Sequence, residues 1–141
     1  MRSSGGGLLP ALRAIGWYMA DFGCAQVSMN LLDYRITSPL TVWETCKALA
    51  AEYGVTCIGC EVVGLLPEVC VLEAGAKALG LEGLQRVVGN GQLAVGSELL
   101  PGSKLWKSCM AAGIDYLGLD RVKPFAVVEK VLEVVMRKSG L

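Results

Sequence analysis

The chain has no histidine. That absence removes the commonest general base near neutral pH and the commonest metal ligand, so chemistry here would need carboxylates, thiols or another chain. Charge is also scarce: 18% of residues are charged and 53% are apolar, against roughly 25% and 45–50% in ordinary domains. Thirteen basic and thirteen acidic residues cancel, and the basic ones are scattered rather than striped, which excludes the electrostatic footprint of a nucleic-acid binder. No apolar run is long enough for a membrane: the longest uncharged stretches, 22–32 and 87–97, hold 11 residues, where a spanning helix needs about 20. Arg2 is followed by Ser-Ser-Gly-Gly-Gly rather than a signal-peptide core, so the expected location is cytoplasmic. The six cysteines lack the spacing of a small secreted domain and read as reduced, buried thiols.

What is present fits one domain. A chain of 141 residues can bury about two thirds of its unfolded surface in a single core. Residues 1–11 read as a flexible lead-in or linker remnant and residues 12–138 as the domain. Strands are expected near 12–20 and 24–33, joined by turn chemistry at Asp21-Phe22-Gly23. Ser38-Pro39 offers an N-cap and a proline at the first helical position. Leu40, Trp43, Cys46 and Tyr53 then recur at helical spacing until Gly54. The apolar run 55–63 predicts a strand covered on both faces, and Pro67-Glu68 opens a helix closed by Gly80. A helix over 104–112 stopped by Gly113 follows a glycine-rich, irregular stretch from 81 to 102. Pro124 starts a last helix in which Phe125, Val128, Val131, Leu132 and Val135 share a face, with Glu133 and Arg137 at a favourable i,i+4 spacing. The order predicts an α+β fold, a mixed or antiparallel sheet with helices packed on one face.

The expected second strand carries an unusual polar side. Gln26, Ser28 and Asn30 alternate with apolar residues and bear no charge. They are either the wet side of a sheet or the lining of a ligand site or interface. Glu61 is the only charge between Val55 and Leu66, and a carboxylate in such a run needs a paired donor. It is either an edge-facing or core-paired glutamate, or a group beside Gln26, Ser28 and Asn30 that binds an amino or guanidino-like ligand, such as the aminopyrimidinone of a pterin. Cys57-Ile-Gly-Cys60 has redox and zinc spacing, yet it falls inside the expected strand and lacks further ligands, which favours a structural role and no metal. Asp21-Phe22-Gly23 matches a kinase triplet only in letters and reads as a turn. Neither Gly5-Gly6-Gly7 nor Gly89-Asn90-Gly91 has phosphate-cradling spacing. Trp17 and Trp43 read as core anchors.

Several of these motifs occur together in one family. Gly16-Trp17 sits in the first strand. Ala25-Gln-Val-Ser-Met-Asn30 is followed three and four positions on by Asp33 and Tyr34, and Glu61-Val-Val-Gly-Leu-Leu-Pro67 closes the third expected strand. With a later Gly113-Ile-Asp…Pro124-Phe125 segment, they resemble the C-terminal subdomain of glutamate formimidoyltransferase, the transferase region of formimidoyltransferase-cyclodeaminase. The resemblance runs from about residue 12 to 136, and 83–102 departs from it. It implies a ferredoxin-like subdomain and a folate-binding, non-catalytic half of a transferase. That enzyme moves a formimidoyl group from N-formimidoyl-L-glutamate to tetrahydrofolate in histidine degradation. The histidine regarded as catalytic belongs to the family's N-terminal subdomain, so this chain is expected to hold no catalytic residue and to be inactive alone. The N-terminal subdomain, in cis or in trans, is the implied partner, along with folate and a second copy of the chain in a homo-oligomer. Gln26, Asn30, Glu61 and Arg13 are the candidate folate-binding residues, Arg13 for a glutamate carboxylate and Glu61 or Asn30 for the pterin. The alternative is a structural or interaction protein that keeps the fold without the ligand.

Overall fold

The computed structural model describes residues 7–81 and 100–140. Two strands, β1 (Leu12–Met19) and β2 (Cys24–Leu31), form an antiparallel hairpin. A single 3₁₀ turn, Ala20–Phe22, joins them, and Gly23 at φ +62° closes the loop in a conformation that favours glycine. The turn reading of Asp21-Phe22-Gly23 therefore holds.

Helix α1 (Pro39–Glu52) starts as its sequence dictates. Ser38 Oγ accepts the Thr41 amide at 3.2 Å, and Pro39 occupies the first turn, where its missing N–H is no loss. Helix α2 spans Glu68–Ala78 and helix α3 spans Lys104–Leu117, the latter capped by Ser103 and ended by Gly118 at φ +64°. Two short helices follow, α4 (Val127–Lys130) and α5 (Leu132–Lys138). None of these helices is long and apolar enough to cross a membrane.

The core is helical. Cys70, Val71, Leu72 and Ala74 of α2 pack on Cys109, Met110 and Leu117 of α3, joined by Trp43 of α1 and by Val131. Glycine makes the close approach possible. A Cβ on Gly75 would stand 1.8 Å from the Cys109 carbonyl oxygen, and one on Gly113 would stand 2.0 Å from that of Val71. Gly113 is thus a contact point inside α3 rather than its end, which corrects the expected stop at that residue.

Three further expectations change. Residues 55–63 form no strand. Their apolar, β-branched composition favours a sheet only where a neighbouring ladder exists. Here the backbone is held at isolated points, Cys60 N–H to the Gly118 carbonyl at 2.9 Å and Leu66 bridged in parallel to Val131. Val63 is 91% exposed. The expected last helix is broken at Val131, which turns extended so that Lys130 and Leu132 can hydrogen bond across to Leu66, leaving Val128 and Leu132 exposed. Glu133 and Arg137, in turn, both reach to Glu68 at the start of α2. Glu133 Oε2 accepts the Glu68 amide at 2.7 Å and Arg137 donates to Glu68 Oε1 at 2.8 Å, where the Trp106 indole also donates.

The fold of the described residues is therefore mixed α and β, with a two-stranded antiparallel sheet and helices. The helices do not gather on one face of that sheet, because their core contains no hairpin residue. The irregular stretch expected at 81–102 lies mostly outside the described residues.

Candidate functional site

The hairpin register determines which side chains meet. Arg13 pairs with Asn30, Ile15 with Ser28 and Trp17 with Gln26. Paired residues in an antiparallel ladder point the same way, and alternate pairs share a face. One face therefore carries Arg13, Ile15 and Trp17 on β1 beside Asn30, Ser28 and Gln26 on β2. The opposite face, Ala14, Gly16 and Tyr18 beside Met29, Val27 and Ala25, offers only the tyrosine hydroxyl as a polar side-chain group.

Most of the mixed face is open to solvent: Arg13, Ile15, Ser28 and Asn30 are exposed, Trp17 is 45% exposed and Gln26 is half-buried. Trp17 is thus no core anchor, whereas Trp43, at 5% exposure, is. Among the described residues no side chain pairs with the Arg13 guanidinium, and Gln26, Ser28 and Asn30 keep their side-chain donors and acceptors free. Arg13, Ile15, Ser28 and Asn30, with Ala14 and Met29, line a shallow pocket of about 150 Å³. A cation, a hydroxyl and an amide along an apolar floor suit an anionic, hydrogen-bonding ligand.

Glu61 lies elsewhere. Its carboxylate pairs with Lys123 at 2.8 Å and borders a smaller pocket of about 50 Å³, shared with Val62, Leu119, Phe125 and Lys130. No hairpin residue lines that pocket. The structure thus brings Arg13 and Asn30 together, sets Gln26 four ladder pairs further along on the same face, and does not bring Glu61 to that face. Glu61 is exposed and its partner Lys123 more so, so this is a surface ion pair rather than the desolvated carboxylate expected of a two-sided apolar strand.

The acidic residue after Asn30 has a structural task. Asp33 accepts from the Arg35 backbone and from both ends of its guanidinium at 2.9 Å, closing the turn into α1, and these hydrogen bonds hold the Asp33 carboxyl below its ordinary range. The cysteines support the inert reading. All six are free, and burial, reinforced by Cys46 and Cys57, pushes the Cys60 thiol up to about 12, far from a reactive thiolate. Among the described residues no group of acidic and thiol side chains could hold a metal.

Sequence reasoning missed Ile15 and Trp17 as members of the polar face. The available signal was the loop: a four-residue connection that pairs Met19 with Cys24 places Trp17 opposite Gln26.

Comparison with known proteins gives these observations a context. The family model of the formiminotransferase domain matches residues 2–96. The chain is 30% identical over 140 residues to the formimidoyltransferase-cyclodeaminase of Rattus norvegicus, an alignment covering 95% of this chain and 22% of that protein. It is 41% identical over 78 residues to the protein of that name from Dictyostelium discoideum, covering 55% and 14%. With the glutamate formimidoyltransferase of Streptococcus pyogenes serotype M1 it shares 39% identity over 82 residues, covering 58% and 27%. The chain thus spans about a quarter or less of the length of these relatives.

Proposed function

The chain belongs to the formiminotransferase domain family, and from that premise we propose that it supplies the folate-side, non-catalytic half of a formimidoyl-transfer site. The transfer moves a formimidoyl group from N-formimidoyl-L-glutamate to tetrahydrofolate. A nitrogen of the folate attacks the formimidoyl carbon, glutamate leaves, and a base takes the proton from the attacking nitrogen. With no histidine in the chain, that base comes in this reading from an N-terminal formiminotransferase subdomain, in cis or in trans. The contribution of this chain is to bind and orient the folate.

The observation that carries the reading is the open hairpin face, a row of neutral hydrogen-bonding groups with an indole and a cation that no described side chain pairs. Arg13, Gln26 and Asn30 are its folate-binding residues. Glu61 is a secondary contact that must leave Lys123 to take part. In this reading the second subdomain covers that face, and the domain takes the ferredoxin-like arrangement that the resemblance implies. The expected compartment is the cytoplasm.

Calorimetric titration of the full chain with 5-formyltetrahydrofolate, a stable reduced folate, tests this. One-site saturable binding, weakened by Asn30→Ala and strengthened when an N-terminal subdomain is added, is the expected result. Absence of binding in both settings overturns it.

A second reading rests on a different observation. Ile58 at 64% and Val63 at 91% exposure lie on an extended segment with few backbone partners among the described residues, which is the composition of a pairing edge. In this reading the chain is an interaction scaffold that forms homo-oligomers. Light scattering separates the two: a scaffold shows the same oligomer with and without folate.

A further inference from the structure

Resting on the folate-side reading above, we infer that the folate lies lengthwise on the hairpin, its pterin ring against Trp17 and Gln26 and its glutamate carboxylates at Arg13 and Asn30. The two ends of the face differ in chemistry as the two ends of a folate do. One end offers an exposed guanidinium, unpaired among the described residues, beside an amide and over a pocket of about 150 Å³. That pocket suits a carboxylate arm, and a guanidinium favours carboxylates because it donates two parallel hydrogen bonds. The other end offers a half-exposed indole face beside a carboxamide. A flat, uncharged heterocycle stacks on the indole, and its donor and acceptor edge matches the amide.

Spacing agrees. Arg13 and Trp17 are four residues apart on one strand, or about 13 Å at the rise of an antiparallel ladder. The p-aminobenzoyl spacer of a folate separates its two ends by a comparable length, and Ile15 with Ser28 lies midway as an apolar floor with one hydroxyl. Charge sets the direction. Between Leu12 and Leu32 the only charged residues are Arg13 at one end and Asp21 in the loop at the other. The reverse orientation would bring the ligand carboxylates toward Asp21 and leave Arg13 without an anion.

The test compares two ligands, 5-formyltetrahydrofolate and the matching 5-formyltetrahydropteroate, which lacks glutamate. Arg13→Ala is expected to weaken the folate by about ten- to a hundredfold and to leave the pteroate unchanged, with Arg13→Lys recovering part of the loss. Trp17→Ala is expected to weaken both by the same factor, about tenfold, and to abolish ligand quenching of the exposed indole. The orientation is overturned if Arg13→Ala weakens the two ligands equally, if Trp17→Ala spares the pteroate, or if neither variant matters. A wild-type chain that binds neither ligand instead removes the folate-side reading itself. Both residues are exposed, and an unchanged thermal melt of each variant shows that the comparison reports binding rather than folding.

Discussion

The α2–α3 pair and the β1–β2 hairpin are similar in size and opposite in completeness. Along α2 the run from Glu68 to Leu72 is buried, and the two helix backbones touch at Gly75 and Gly113. The hairpin buries Leu12 alone, while Ile15, Tyr18 and Val27 face solvent. An isolated two-stranded hairpin is marginal in water, so this one calls for cover that the helices do not supply. Core packing and the open hydrogen-bonding face therefore sit on different parts of the described molecule. Among the described residues the atoms of the core left without a hydrogen-bond partner, Trp43 Nε1 and Glu68 Oε2, are buried out of a ligand's reach, and the exposed hydrogen-bonding groups of the hairpin contribute little to the core.

The two tryptophans give the largest test of that division. Trp43→Ala should cost about 3–5 kcal/mol, the usual loss for a buried aromatic. Trp17→Ala should stay within about 0.5 kcal/mol, as surface changes do. Urea unfolding followed by far-ultraviolet circular dichroism reads both. Equal losses would break the comparison, because they would mean that the hairpin is covered in solution, by a second copy or by another segment of the chain.

Glycine substitutions test the same contrast at the backbone. Alanine at 113 must displace α2 or α3, since its Cβ would lie 2.0 Å from the Val71 oxygen. The expected cost is about 2–3 kcal/mol, even after the roughly 1 kcal/mol that alanine gains over glycine in a helix. Gly16→Ala meets nothing closer than the Gln26 oxygen at 3.7 Å and should be within about 0.5 kcal/mol of wild type. A harmless Gly113→Ala would show that the two helices are further apart than the structure has them.

The same contrast explains what the sequence could reveal. The hairpin, α1 and α2 were legible because their signals are local: alternation, Ser38 before Pro39, and glycines just beyond the helix ends. Gly113 was misread because a helix-ending glycine and a close-packing glycine look alike in one dimension. Residues 55–63 were misread because strand-forming composition says nothing about whether a neighbour is present, and Val131 because only its bridge to Leu66 breaks the helix. Of the candidate site, Arg13, Gln26 and Asn30 on one face followed from the register. The separation of Glu61 depends on Lys123, far along the chain, and no local pattern encodes it.

The smallest effect concerns two carboxylates, one on each side of the division. Burial pushes the Glu73 carboxyl on α2 upward, opposed by the hydrogen bond from Ser38 and by Lys77 and reinforced by Glu44. The Arg35 hydrogen bonds pull Asp33, just beyond the hairpin, downward. The signs of linkage are opposite. For Glu73 the unfolded chain loses its proton first, so stability falls as pH rises above the ordinary carboxylate range toward the raised folded value. For Asp33 the contribution is present above that range and fades as pH drops toward the lowered folded value. Melting temperatures across mildly acidic to neutral pH should therefore show Glu73→Gln removing part of the decline on the neutral side. Asp33→Asn should act mainly on the acid side, and weakly, because its ion pair is solvent-exposed and screened. Should Glu73→Gln leave the neutral side unchanged, the α1–α2 contact through Ser38 is wetter than its packing implies, and the boundary between the closed and open halves of the molecule moves inward by one helix face.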